Sequence, residues 1–173
     1  QNKIMLDASY FNVEFKMACL NGLIYFVSCS YDRPPKLKFG AISLESKQYF
    51  SLKIMNESRR SFKLIPLNDH LYIIGGRTKT VERYVPETDN WEFVPSMNFC
   101  CDYPSATVHN GLIYVLNEEV LEVYNPQKNY WVALKQSFPD NIKQKSELVS
   151  FNHDLLAIPK SGYSDEGILR FDF

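Results

Sequence analysis

Two stretches of the chain, 81–91 and 121–131, align residue for residue without a gap. They read VERYVPETDNW and LEVYNPQKNYW, and they share a Glu, a Tyr, a Pro and a Trp at the same places. Each shared residue lies 40 positions after its counterpart, as Trp131 follows Trp91. A fixed period of this length is typical of folds built from one repeated supersecondary unit. The period therefore constrains the fold more strongly than any local propensity does.

A second pattern recurs with the first: an Asn, one or two turn-forming residues, then a short apolar run. It begins at Asn21, Asn68, Asn110 and Asn152. The pattern is typical of a tight hairpin that leads into a buried strand. The apolar runs align at Ile24, Leu71, Ile113 and Leu156, with intervals of 47, 42 and 43 residues. The insertions therefore fall in loops, and the strands stay in phase.

The clearest unit predicts four short strands, at 62–67, 71–75, 80–84 and 91–94. The aromatic share of 14%, mostly Phe and Tyr, also favours strands. One small antiparallel sheet cannot bury both of its faces, so neighbouring units must stack on it, and radial stacking makes a β-propeller. We predict one all-β domain over residues 1–173. Its units are about 11–56, 57–98, 99–141 and 142–173, the last of them truncated.

The residues that carry the period have distinct physical tasks. Gly75 and Gly76 follow the second strand, where a positive φ or a close approach to a neighbouring sheet requires glycine. The large aromatic residues of the repeat have a polar tip, so they can fill the wedge between sheets and still find a hydrogen-bond partner. These aromatic residues are Tyr84, Trp91, Tyr124 and Trp131.

The sequence LYIIGG followed by VERYVPETDNW resembles the kelch repeat, whose pattern is an apolar pair, a double Gly, a Tyr and a Trp in this order. The resemblance runs in phase over the whole chain and is strongest in the second unit. In the first unit Ser28 and Cys29 replace the glycines, and Tyr49 replaces the Trp. Kelch propellers generally have about five to seven blades, so about four units predict an incomplete ring. Flanking sequence, or residues 3–10 pairing with the last unit, would complete it.

Composition disfavours several functional classes. The 19 Lys and Arg residues nearly balance 20 Asp and Glu, which is not the charge expected of a nucleic-acid binder. No apolar run approaches the roughly 20 residues that span a bilayer. We therefore expect a soluble, cytoplasmic protein that binds neither nucleic acid nor membrane. The low density of cysteine favours reduced thiols over a disulfide scaffold.

The sequence contains no recognisable catalytic or metal-binding motif, and we expect no enzyme, no cofactor and no metal. His70, His109 and His153 fall near the same turn of successive units, where exposed polar turn residues are the simplest interpretation. Cys100 and Cys101 lie between units without an indicated base or oxyanion cradle. A propeller enzyme with a metal centre is the alternative from a different class.

The loops offer the best candidate site, because loops between the second and third strands and those joining units gather at one face. Exposed Tyr and Arg residues often dominate the energetics of protein interfaces. The candidate partner-binding residues are Tyr31, Arg33, Arg59, Arg60, Arg77, Tyr103 and Tyr163. The arginines 59, 60 and 77, together with Lys79, favour an acidic protein partner.

The spacing of the repeats and the stretch YVPETDNWEFVPSM resemble those of BTB-kelch proteins. That resemblance implies a non-catalytic protein-protein interaction module, the substrate-recognition propeller of an adaptor for a cullin-based ubiquitin ligase. The ligase would be contacted through a BTB domain that lies outside this chain. Kelch proteins that bind actin or organise the cytoskeleton are an alternative. The degenerate repeats also resemble viral kelch-like proteins that divert host ubiquitination.

Overall fold

A computed structural model describes residues 13–30, 36–117, 120–134, 146–160 and 167–172. Apart from a short 3₁₀ helix at Pro86–Thr88, the regular structure of these residues is β-strand. The first sheet contains β1 (Val13–Leu20), β2 (Leu23–Ser30), β3 (Leu37–Ser43) and β4 (Tyr49–Ser51), and the second contains β5 (Phe62–Leu67), β6 (His70–Gly75), β7 (Val81–Val85) and β8 (Asn90–Val94). The third contains β9 (Ser105–His109), β10 (Leu112–Leu116), β11 (Leu121–Asn125) and β12 (Tyr130–Leu134), and the fourth contains β13 (Ser146–Phe151), β14 (Asp154–Pro159) and β15 (Leu169–Phe171).

The strands of each sheet lie side by side in chain order and pair antiparallel. The first strands of the sheets contact one another in sequence, β1 with β5, β5 with β9 and β9 with β13. The four sheets are arranged as the blades of a four-blade propeller, which confirms the predicted fold class. In the described residues the fourth sheet has three strands. Residues 3–10, the predicted closing strand, lie outside the described residues.

Two-residue turns join the first and second strands of every sheet, and an asparagine opens each turn. The four asparagines have φ between 47 and 52°, the left-handed region that asparagine tolerates better than most residues. These asparagines are Asn21, Asn68, Asn110 and Asn152. The register after the last turn corrects one alignment: Leu155, not Leu156, corresponds to Ile113. The turn holds Asn152 and His153, so the strand begins at Asp154, one residue earlier than an alignment on Leu156 implied.

The apolar core is divided into three clusters, each between two consecutive sheets. The first cluster joins sheets one and two, the second joins sheets two and three, and the third joins sheets three and four. At their centres lie Val27 and Ile73, Ile74 and Ile113, and Leu121 and Leu155. Stacking of this kind buries both faces of a middle sheet, which no single sheet achieves alone. No helix among the described residues is long and apolar enough to cross a membrane.

Candidate protein-interaction surface

The Tyr and Trp of the second sheet lie in the wedge against the first sheet. Both are almost fully buried, and both rings contact the ring of Phe39 edge-on. The distances between ring centroids are 4.7 Å for Tyr84 and 5.1 Å for Trp91. The Tyr84 hydroxyl donates to Asp89 at 2.8 Å, and the Trp91 indole donates to the carbonyl of Lys53 at 2.8 Å. Burial, reinforced by Asp89, raises the pKa of Tyr84 well above its usual value. The indole therefore ties the connecting segment before this sheet to its outer strand.

The third sheet repeats this arrangement. The Tyr124 hydroxyl donates to Asn129 at 2.7 Å, and the Trp131 indole donates to the carbonyl of Pro95 at 2.8 Å. Burial raises the pKa of Tyr124 to about 12. The aromatic residues of both middle sheets thus combine apolar filling with a satisfied polar tip.

A buried carboxylate of the second sheet holds the segment that connects it to the first. Glu82 is fully buried and accepts three hydrogen bonds from Asn56 and Glu57 of that segment. The backbone N–H and the side-chain amide of Asn56 donate at 2.7 and 2.8 Å, and the backbone N–H of Glu57 donates at 3.1 Å. A buried charge needs this number of partners to offset its lost hydration. We call this arrangement a carboxylate clasp.

Glu122 forms the same clasp in the third sheet. It accepts from the backbone N–H of Asn98 at 2.7 Å, from the Asn98 side-chain amide at 2.8 Å and from the backbone N–H of Phe99 at 3.0 Å. The sequence showed the repeated Glu, but it gave no role to it. The recurrence of Met-Asn at 55–56 and 97–98, each just before a new unit, was the signal that could have identified its partner.

Arg59 corrects the predicted contact set, because its side chain is buried and bonds inward. Its exposed fraction is 2%. One guanidinium nitrogen donates to the carbonyl oxygens of Gly75 and Thr80 at 3.3 and 2.8 Å, and the other pairs with Glu82 at 2.9 Å. The prediction that Arg59 is an exposed partner-binding residue is therefore wrong. Its positive charge is paired with the buried carboxylate of Glu82 and is not available to a partner.

The double glycine explains how Arg59 becomes buried. Both glycines have positive φ, 81° for Gly75 and 89° for Gly76. A Cβ at Gly75 would overlap the ring of Pro104, and one at Gly76 would lie 2.6 Å from the Cβ of Arg59. Only residues without a Cβ permit this approach. The glycines thus bring three segments together: 59–61, 76–80 and 98–104.

These three segments form what we call the loop surface, the exposed side chains of residues 60, 77, 79, 99 and 103. Backbone N–H groups of Gly76 and Arg77 both donate to the carbonyl of Cys101, at 3.2 and 3.1 Å. Arg77 lies 3.3 Å from Asp102 in an exposed ion pair. The Tyr103 side chain is 74% exposed, and Arg60 is exposed. The structure therefore places three of the predicted contact residues on one surface.

The remaining predicted contact residues, Tyr31, Arg33 and Tyr163, lie outside the described residues. Partner binding by Arg60, Arg77 and Tyr103 stays a prediction, since exposure alone does not establish a contact. Lys79 lies in the same loop as Arg77, and its carbonyl accepts from the backbone of Met97. The loop surface is thus held by backbone hydrogen bonds across two sheets.

Two of the residues considered as metal ligands or nucleophiles, His109 and Cys101, are buried in the packing between sheets. His109 was expected to be an exposed turn residue, but it is buried between the third and fourth sheets, where its ring bonds the Ser150 hydroxyl at 2.9 Å. Burial raises the pKa of the Cys101 thiol to about 12, with nearby Asp102 adding to the effect, so the thiol is protonated at neutral pH. Within the described ranges, no group of three or more His, Cys, Asp or Glu side chains could hold a metal ion.

Comparison with known proteins adds a family to this geometry. The Kelch motif family matches residues 58–98. Kelch repeat and BTB domain-containing protein 8 of Rattus norvegicus is 29% identical over 111 residues, which are 59% of this chain and 19% of that protein. Kelch repeat and BTB domain-containing protein 2 of Cowpox virus (strain Brighton Red) is 26% identical over 108 residues, covering 60% of this chain and 19% of that protein.

An Arabidopsis thaliana relative, F-box/kelch-repeat protein At1g67480, is 30% identical over 93 residues, covering 45% of this chain and 25% of that protein. The chain thus spans a quarter or less of the length of these relatives. The repeated Tyr and Trp, the double glycine and the propeller arrangement agree with the matched motif. The chain is a kelch-repeat β-propeller, and BTB-kelch proteins are its distant homologues.

Proposed function

We propose that this chain is a non-catalytic recognition module that binds a protein partner at the loop surface. One observation carries the proposal: three segments from two sheets meet at Gly76 and display Arg60, Arg77 and Tyr103 together. Tyr and Arg are enriched among the residues that dominate binding energy. Rigid sheets below the loops keep the entropy cost of ordering these side chains low.

The charge of the loop surface favours an acidic partner segment. Arg60, Arg77 and Lys79 supply three cations, and Asp102 is the acidic side chain paired with Arg77. That pair is exposed on both sides, with 76 and 54% of the two side chains accessible, so its net stabilisation is small. A carboxylate of the partner can replace Asp102 at little cost, and Arg offers it a bidentate hydrogen-bond donor.

We propose further that the recognised protein is a substrate of a cullin-based ubiquitin ligase, and that the chain acts in the cytoplasm. The relatives named Kelch repeat and BTB domain-containing proteins support this proposal. The cullin would be contacted by a BTB domain outside this chain, and the propeller would supply specificity. Relatives from mammals, a poxvirus and a plant retain the kelch unit, which is consistent with a general recognition module.

The binding part is tested with a double charge reversal. Arg60→Glu/Arg77→Glu changes two exposed side chains of the loop surface and leaves the clasp intact. We expect quantitative affinity capture from cell extract to show at least a tenfold loss of the specific partner relative to the unchanged chain. Lys128→Glu, an exposed change at the far end of the third sheet, is the matched control and should retain it. Full retention by the double variant would contradict the proposed surface.

The ligase part needs a separate readout. In cells that make the protein, the partner identified by capture is followed after translation is stopped, with and without an inhibitor of cullin neddylation. We expect the inhibitor to lengthen the partner's half-life, and to do so only when the loop surface is intact. A half-life that the inhibitor does not change would overturn the ligase proposal and leave the recognition proposal standing.

A further inference from the structure

Arg77 has a backbone conformation that its residue type rarely adopts. Its φ is 67°, in the left-handed region, where a residue with a Cβ is strained. Ten described residues other than glycine have a positive φ, and seven of them are Asn or Asp, which tolerate it best. The other three are Lys47, Ser61 and Arg77. The Arg77 side chain is 76% exposed, so core packing does not explain an arginine at this strained position.

The buried Arg59 holds both ends of the loop 76–80, which carries Arg77. Its guanidinium donates to the carbonyl of Gly75 at the start of the loop and to the carbonyl of Thr80 at its end, at 3.3 and 2.8 Å. The same guanidinium donates to the Thr80 hydroxyl at 3.2 Å, and that hydroxyl bonds the hydroxyl of Thr78 at 2.8 Å. A strained conformation persists only where surrounding contacts over-determine it, and these bonds are such contacts.

The third sheet shows that a blade forms without this arginine. When the two clasps are aligned, Cys101 takes the place of Arg59. The corresponding loop of the third sheet closes on itself instead. The backbone N–H of Asn117 donates to the carbonyl of Val120 at 3.1 Å, and the Asn117 side chain accepts from the backbone N–H of Val120 at 2.8 Å. Arg59 therefore serves the loop of its own sheet rather than the formation of the blade.

We infer that Arg59 is a positioning residue for partner binding, an assignment that rests on the proposed function of the loop surface. It holds the loop 76–80 in the strained form that presents the Arg77 guanidinium to a carboxylate of the partner. Because Arg59 is 2% exposed, it acts only through the loop. Lysine cannot replace it, since one ammonium group cannot pair with Glu82 and also bridge two carbonyls as a planar guanidinium does.

The first test needs no partner and uses Arg59→Lys, which keeps a positive charge at the buried position. We expect the amides of Gly76 and Arg77 to exchange with solvent at least tenfold faster in this variant, as measured by NMR. The amides of Asn98 and Phe99, at the clasp of the third sheet, should exchange at unchanged rates. A general loss of stability would accelerate all four amides. Equal acceleration of all four, or unchanged exchange at Gly76 and Arg77, would overturn the inference.

The second test measures the strain at Arg77. Arg77→Gly and Arg77→Ala both remove the guanidinium, but only glycine adopts a positive φ without a steric penalty. We expect the urea midpoint of Arg77→Gly to exceed that of Arg77→Ala by about 0.3 M or more. A midpoint for Arg77→Gly that is equal or lower would rule out the strained presentation of this side chain.

The third test uses the protein that the unchanged chain captures and that Arg60→Glu/Arg77→Glu loses. Arg77→Gly should weaken its affinity at least tenfold, and Arg59→Lys should weaken it about fivefold. Because Arg59 acts through Arg77, adding Arg59→Lys to Arg77→Gly should change the affinity by less than about twofold. Losses that multiply in the double variant would refute the positioning role.

The two proposals fail in different ways. Full retention of the captured protein by Arg77→Gly, in a chain whose Gly76 amide responds to Arg59→Lys, would contradict the proposed function and with it the role of Arg59 in binding. Unchanged amide exchange in Arg59→Lys, together with loss of the captured protein by Arg77→Gly, would contradict the role of Arg59 alone.

Discussion

The two middle sheets and the two end sheets are built from the same repeat, yet they are fastened differently. Each middle sheet has a buried Glu that holds the connecting segment before it, at positions 82 and 122. The register places Gly40 at this position in the first sheet and Leu169 in the fourth. Neither residue can accept a hydrogen bond through its side chain. The repeat thus preserves the strands of the end sheets but lacks the carboxylate clasp there.

The first sheet could not accept the clasp even if the Glu were restored. A Cβ at Gly40 would lie 2.6 Å from the carbonyl oxygen of Phe50 and 2.9 Å from the ring of Phe26. The aromatic residues of this sheet have closed over the space that the carboxylate occupies in the middle sheets. The comparison teaches that apolar stacking is sufficient to keep a blade in place, whereas the clasp fixes the loop that precedes it.

Removing the buried carboxylate of a middle sheet should cause the largest loss of unfolding free energy. The loss should be greater for Glu82→Ala than for Glu122→Ala. Glu82→Ala removes the buried ion-pair partner of Arg59 and leaves only the partly exposed Glu57, at 3.3 Å, so we expect a loss of about 3–5 kcal/mol in unfolding free energy. Glu122→Ala leaves the amide donors of Asn98 and Phe99 without an acceptor but leaves no buried charge unpaired, which costs about 1–3 kcal/mol. Urea unfolding of both variants measures the difference. Glu45→Ala, at an exposed residue in the turn after β3, is the control and should change stability by less than about 0.5 kcal/mol. Equal losses at Glu82 and Glu122 would show that the Arg59 pair adds nothing.

The next largest difference in stability loss should be between the Trp of the second sheet and the Tyr at the equivalent position of the first. Trp91→Ala removes a ring that is 3% exposed and its hydrogen bond to Lys53, and should cost about 3–5 kcal/mol. Tyr49→Ala, at the equivalent position of the first sheet, removes a half-exposed ring and should cost about 1–2 kcal/mol. Denaturant midpoints at constant m-value give both quantities. A larger loss at Tyr49 would mean that the first sheet is buried more completely than the structure shows.

Removing the Glu147 carboxylate of the fourth sheet should cause the smallest loss of stability, and this loss should depend on pH. Burial tends to raise the pKa of Glu147, but hydrogen bonds from Lys160 and Lys63 outweigh it, so the pKa is lowered. The carboxylate therefore stabilises the fold above its unfolded-state pKa of about 4.3, and this stabilisation is lost as pH falls through the folded-state value.

Glu147→Gln should accordingly reduce stability by less than about 1 kcal/mol at pH 7, because the side chain is one-third exposed. Near pH 3 the variant and the unchanged chain should have closer urea midpoints. A difference that grows on acidification would reverse the assigned sign. Lys63 lies on the second sheet, so this ion pair also links a middle sheet to an end sheet.

The sequence was sufficient to predict the sheets, because period and turn chemistry are local. Asn recurs at each hairpin at intervals of 47, 42 and 42 residues, and the Tyr and Trp of the second unit recur 40 residues later in the third. The strands of the second unit were placed within one residue. The clasp was not predictable in the same way. Glu82 meets Asn56 26 residues earlier in the chain, and only the assembled sheets bring them together.

Arg59 and Arg60 show most clearly what the sequence alone could not predict. They are adjacent and identical in chemistry, so the sequence assigned them one role. The approach of Gly76 turns the first arginine toward Glu82 and leaves the second exposed. Which neighbour of a pair is buried depends on the path of a loop 16 residues later, a feature that no local pattern encodes.

Amide hydrogen exchange, resolved to single residues by NMR, tests most directly the claim that carboxylate clasps fasten the connecting segments of the middle sheets. The amides of Asn56, Glu57, Asn98 and Phe99 lie outside strands, yet each donates to a buried carboxylate. We predict that they exchange as slowly as strand amides of β7 and β11. Exchange at the rate of exposed loop amides, in a chain whose strands remain protected, would contradict the account.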